Sequence, residues 1–291
     1  PGYRLTSCRA SRAIGGVSLI REGYPSGKIA STLQPNARWR YLYHKKPVKR
    51  ADRMARYASK TAFTIGLLVL LMAVPALGAS VNKSINIAAG EESGGATSVN
   101  GSIRVGENAI VSGGLRTVNG SIRVDDGAEI ENAKTVNGRL RMGVGVQADN
   151  LTTVNGSVTI GEMAAVAGDI SAVNGSITVE PEATVAGEVS NVNGRILLTR
   201  TEIGGDVTTV TGDVRIDQTL LKSDLVIEEP SYWNKASNRK PRIVIGPGSR
   251  IEGAIVVEYE VELFISDEAE VAEVRGVMTL DDAQRFSGDT P

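Results

Sequence analysis

Asparagine followed by glycine recurs through this chain in one phase. The pairs begin at Asn100, Asn119, Asn137, Asn155, Asn174 and Asn193, each directly after a valine. Asn82 stands in phase before them, and Val210-Thr211-Gly212 in phase after them. A primary amide donates and accepts, so such a column can hydrogen-bond to itself. It can also carry a glycan, since Asn-Gly-Ser is an acceptor sequence at four of these sites. A sequon locked to a repeat is better explained by the repeat, as a corner in which asparagine tolerates left-handed backbone. Gly101, Gly120, Gly138, Gly156, Gly175, Gly194 and Gly212 would then take the remaining positive φ.

Three other groups invite a chemical reading. Arg104, Arg123 and Arg141 share one phase on consecutive repeats and form either a site for an acidic glycan or lipid headgroup, or a solvated column relieved by Glu107, Asp125 and Asp126. Tyr232 and Trp233 stand together in a stretch poor in aromatics, as a contact for a partner or sugar, or as a cover for one side of the fold. Carboxylates are plentiful, but stacked repeats generate pairs at glycosidase spacing automatically, and none line up in one phase over three repeats.

Several chemistries are excluded more firmly. The only cysteine is Cys8 and the only histidine His44, both ahead of an apolar run. Beyond residue 79 there is no thiolate nucleophile, imidazole base or Cys/His metal ligand, so no cofactor, no metal and no catalytic residue is expected. Gly143-Val144-Gly145-Val146-Gln147-Ala148 matches a dinucleotide fingerprint in letters alone, because no helix follows it. Residues 1–60 hold 14 Lys+Arg against 2 Asp+Glu, leaving 18 basic and 31 acidic residues in the remainder. An acidic body argues against nucleic acid.

Met54-Ala-Arg-Tyr-Ala-Ser-Lys leads into the uncharged run Thr61 to Asn82, with Ala76-Leu77-Gly78-Ala79 supplying small residues for cleavage. Residues 54–79 therefore read as a secretory signal. Residues 1–53 read as a basic extension, disordered or upstream of the translated start. The alternative is a cytoplasmic tail on an uncleaved anchor, which would be the chain's only membrane contact. Both readings export the rest.

The elements that position these residues follow from the repeat of 18 to 19 residues. Four residues after each Val come Ile85, Ile103, Ile122, Leu140, Val158, Ile177, Ile196 and Val214; two further on come Ile87, Val105, Val124, Met142, Ile160, Val179, Leu198 and Ile216. Polar residues separate them, which is the alternation of a half-buried strand. Two more short strands complete each repeat, and none has a partner within its own repeat, so each must pair with its equivalent in the next. The expected fold is all-β: a single-stranded parallel β-solenoid over residues 80–277, three short strands per coil, about ten coils. A loop is inserted at 228–241. The valine of each Val-Asn-Gly is expected to face the narrow core. Residues 278–291 are expected to form a cap and tail, with Leu280 and Phe286 covering the last coil.

This grammar resembles the bactofilins, bacterial polymer-forming cytoskeletal proteins, in units such as Gly175-Ser-Ile-Thr-Val-Glu-Pro-Glu-Ala-Thr-Val-Ala-Gly-Glu-Val189 and over residues 81–277. The resemblance implies a small right-handed, three-sided β-helix that assembles end to end without a nucleotide. The export signal, the Val-Asn-Gly series and the Tyr-Trp loop depart from that family and point to the bacterial envelope, in the periplasm or at the cell surface. The expectation is a non-enzymatic, self-associating scaffold. The alternatives are a surface or periplasmic glycan-binding module or adhesin, and a polysaccharide-active enzyme.

Overall fold

The computed structural model describes residues 82–230 and 239–291. The basic extension, the signal-like segment, and Tyr232 and Trp233 lie outside the described residues. The chain coils as a parallel β-solenoid with three ladders of short strands. The first ladder has eleven strands, from Ile85–Ile87 to Gln284–Phe286. Its register follows the repeat: Ile103 pairs with Ile122, Ile122 with Leu140, Leu140 with Val158 and Val158 with Ile177. The second ladder starts at Glu92–Ser93 and the third at Ala96–Ser98. Both run into the long strand Arg250–Val257, where the two faces merge.

The core is a stack of nearly identical layers. In the fourth coil Leu140, Met142, Val146, Ala148, Leu151 and Thr153 are all buried, and the same phases are buried in neighbouring coils. Burying an Ile or Leu is worth about 1.5–3 kcal/mol, and each coil contributes several. Aliphatic side chains suffice because the space between three short strands is narrow. This explains the scarcity of aromatic residues.

The corners use glycine differently from the sequence expectation. Left-handed backbone is concentrated after the first strand of each coil, at Gly90, Asn108, Gly127, Gly145, Met163, Glu182, Arg200, Gln218 and Gly248, with φ between 49° and 68°. At the Val-Asn-Gly corner only Asn82 (φ 63°) and Gly194 (φ 133°) are left-handed. The other glycines there are required by close approach. A Cβ on Gly120 would meet the carbonyl oxygen of Gly101 at 2.1 Å, and one on Gly175 would meet that of Gly156 at 1.8 Å.

The valine of Val-Asn-Gly also differs from expectation. Leu151 and Thr153 point inward and are buried, so alternation turns Val154 outward and leaves it half-buried. Val99, Val118, Val136, Val173 and Val192 are likewise partly exposed. The inserted segment follows Leu225–Ile227 and precedes Arg242–Ile245, so it leaves at the corner where the Asn-Gly series has just ended. Its root is held by Arg239 to Asp213 at 2.6 Å and Lys240 to Glu260 at 2.7 Å.

The end of the chain continues the coil as well as covering it. Thr279 and Asp282 form a capping box around the short turn Leu280–Asp282, after which Gln284–Phe286 adds the eleventh strand of the first ladder. Met278 and Ala283 pack against the core, whereas Leu280 is 37% exposed and Phe286 half-buried. The following residues run back over the first face: Arg215 donates to the Asp289 carbonyl at 2.7 Å and Arg242 to that of Pro291 at 3.1 Å.

Candidate functional site

The parallel register brings the asparagines together in one exposed column. Each side-chain amide donates to the carbonyl oxygen of the one before it. Asn100 bonds Asn82 at 2.6 Å, Asn119 bonds Asn100 at 2.8 Å and Asn137 bonds Asn119 at 2.8 Å. Asn155, Asn174 and Asn193 continue the series at 2.9, 3.0 and 3.0 Å. The Thr211 hydroxyl closes it by donating to Asn193. The serine of the sequon is engaged too, since Ser84 Oγ accepts from the backbone of Ser102 and Ser102 Oγ from that of Ser121, both at 3.3 Å. The asparagine amides from Asn100 to Asn193 and the hydroxyls of Ser84, Ser102 and Ser121 thus have partners one coil away.

Behind this column lies a second that the sequence reading missed. Thr117, Thr135 and Thr153 are buried, and their hydroxyls donate to the carbonyls of Gly101, Gly120 and Gly138 at 2.8, 2.9 and 3.2 Å. Ser98 does the same to Lys83 at 2.9 Å, and Asn191 reaches Gly175 with its amide at 2.5 Å. A carbonyl buried without a donor costs about 1–3 kcal/mol, so these side chains are needed where the corner glycines stack. The signal was legible: a hydroxyl residue directly precedes Val99, Val118, Val136, Val154 and Val210.

Arg104, Arg123 and Arg141 stack on the first face in adjacent register. Asp125 holds two of them, with Arg104 at 2.8 Å and Arg123 at 2.8 Å. These hydrogen bonds, that of Arg123 foremost, hold the Asp125 carboxyl below its ordinary range and raise the Arg123 guanidinium above its own. Arg141 makes no ion pair among the described residues. Charge relief within the column therefore comes from Asp125 rather than Glu107. Asp126 instead accepts from the backbone of Val144 at 2.9 Å and acts on Arg123 through its charge.

Two shallow depressions accompany these columns. One, of about 460 Å³, lies on the second face between Ile110, Glu129, Glu131, Asp149, Ala165 and Ala186. The other, of about 500 Å³, lies beside the root of the inserted segment between Thr178, Arg195, Leu197, Asp213 and Arg239. Among the described residues no three His, Cys, Asp or Glu side chains are grouped to hold a metal ion. Comparisons with protein-family models, curated proteins and solved structures give no match for this chain.

Proposed function

We propose that this chain is a non-enzymatic structural rod of the bacterial envelope, exported by its N-terminal signal and able to associate through its ends, as the likeness to bactofilins implies. The observation that carries this reading is the use to which the repeat's polar groups are put. The Asn82 to Asn193 column, the buried hydroxyls of Thr117, Thr135 and Thr153 and the Arg104–Asp125 pair bond coil to coil rather than converge on a common point. Eleven strands at about 4.8 Å give a shaft about 48 Å long between the outermost strands.

The two ends differ in a way that suits pairing through one end. On the N-terminal side the strand Ile85–Ile87 pairs only with Ile103–Val105 among the described residues. On the C-terminal side Arg285 occupies the register position of the buried Ile265, so a charge stands where an apolar residue would continue the core. Inward-pointing charge is a common guard against edge pairing. Head-to-head contact through the first coil is the mode we favour. A glycan-binding first face draws less support, because two of its three arginines already hold Asp125.

Electron microscopy and sedimentation of the exported form test the assembly. Paired rods that Ile85→Lys with Ile87→Lys separates are expected; rods that stay single at high concentration would refute it. Export is tested by fusing residues 54–291 to a reporter active only outside the cytoplasm. A silent reporter with intact cytosolic protein would refute that part.

A further inference from the structure

The outward positions of the third face form two parallel columns. One is the valine column, Val99, Val118, Val136, Val154, Val173 and Val192, each partly exposed. The other, two residues earlier, is Thr97, Arg116, Lys134, Thr152, Ser171 and Ser190, paired in that order across the ladder. In the next coil the equivalent Thr208 and Val210 are 7% and 6% exposed, so the open strip stops there.

The strip is unusual in its charge. The chain after residue 60 holds 31 acidic residues, yet none lies in the six segments from each third-face strand to its corner glycine. Arg116 and Lys134 are neighbours across the ladder and neither makes an ion pair among the described residues. Burial and the adjacent Arg116 both lower the Lys134 ammonium from its ordinary value, the mark of a cation left without a counter-charge.

We propose that this strip is a lateral self-association face on which two copies of the chain pack antiparallel, valine column against valine column. The first argument is repeat. A partner must present apolar groups every 4.8 Å or so along the rod to interdigitate with this column, and a second copy does so by construction. The second argument is charge. Acidic rods repel, and this is the face on which close approach brings no carboxylates together.

The layout of the two columns selects the direction. A two-fold axis between the coils of Lys134 and Thr152 lays each column on its own copy, with Lys134 against Thr152, Arg116 against Ser171 and Val99 against Val192. Parallel packing about an axis along the rod would turn the polar columns to opposite sides of the seam, so that only the valines would meet. Two-fold contacts of one patch with itself are also the commonest way for identical chains to pair. Six strands about 4.8 Å apart, each about five residues wide, bury roughly 900 Å² over both partners. That is the low end of specific interfaces, so the dimer is weak and reversible. The face lies off the rod ends, so the inference does not depend on end-to-end assembly.

Cysteine cross-linking of the full chain, with Cys8→Ser as background, tests this. Under mild oxidation a mixture of Val99→Cys and Val192→Cys chains is expected to form the mixed disulfide dimer, while neither variant alone does so. Cross-linking of Val99→Cys to itself, or none in any combination, overturns the proposal, as do cross-links that need an added polyanion. By sedimentation, Val154→Lys is expected to weaken association more than tenfold with an unchanged circular dichroism spectrum. Unchanged association overturns the proposal. A retained mixed cross-link in chains that form no head-to-head pairs would instead count against the assembly mode proposed above.

Discussion

The carbonyl oxygen of Gly138 lies 1.8 Å from where a Cβ on Gly156 would stand. No rotation of the side chain relieves that contact, because the obstacle is the backbone of the preceding coil. Gly156→Ala is therefore expected to lower the thermal midpoint sharply, with a cost of about 3 kcal/mol or more, as for other forced backbone shifts. Gly145→Ala gives the control. Gly145 is left-handed (φ 64°) with nothing within 4 Å of a new Cβ, so it should cost only about 1–2 kcal/mol. Equal losses in thermal melts would show that φ, and not close approach, sets the corner.

The third strand of each coil has an inside and an outside that differ by one residue. Leu151→Asp should prevent folding of its coil, since an unpaired charge enters the core. Val154→Asp should cost far less, since Val154 faces outward. Thr153→Val removes the donor to the Gly138 carbonyl and should cost about 1–3 kcal/mol despite filling the same space. Circular dichroism melts of the three variants check the order.

Asp125 is held below the ordinary carboxylate range by Arg123 and Arg104. A carboxylate depressed on folding contributes stability above its unfolded pKa and loses it as pH falls through its folded one. Asp125→Asn should therefore lower the midpoint slightly at neutral pH, and the difference from the parent should vanish in acid. The effect is small because both arginines are exposed. The same substitution frees Arg104 and Arg123 beside Arg141 and should increase retention on an anionic resin. Midpoints measured from pH 2 to 8 and a salt gradient read both outcomes.

Tyr259 donates its hydroxyl to the Val210 carbonyl, and burial pushes its pKa up to about 12. A group whose pKa is raised on folding contributes stability below its unfolded value near 10 and loses it as pH climbs through the folded value. The parent should lose stability between pH 10 and 12 more steeply than Tyr259→Phe, which starts lower and lacks the ionising group. Parallel slopes would place the hydroxyl in solvent.

Much of this architecture was legible in the residues. A period of 18 to 19, with alternating apolar positions, leaves a strand such as Ile122–Val124 no partner except its equivalents one repeat away. Parallel stacking then makes Asn119 the neighbour of Asn100 and Asn137, and Arg123 the neighbour of Arg104 and Arg141. Other features were present in the sequence but misread. Thr153 and Val154 are adjacent, and unbroken alternation from Leu151 turns Thr153 inward and Val154 outward. Alternation restarts only past the Asn155-Gly156 corner, so counting back from the buried Val158 across that corner gives the opposite phase.

The sequence by itself determined the coil, its register and its neutral corner column, because a repeat that cannot pair with itself must pair with its copy. Tertiary structure decided why each glycine is there. Gly156 is fixed by the distance to Gly138, while Gly145 is fixed by its own φ, and the two look identical in a chain of letters. It also decided that Asp125 grips Arg123 of its own coil and Arg104 of the one before, that the chain end becomes an eleventh strand, and that the valines form an outward strip. Those facts depend on which backbones approach and which way side chains turn at a corner. Such distances exist only once the coils are stacked.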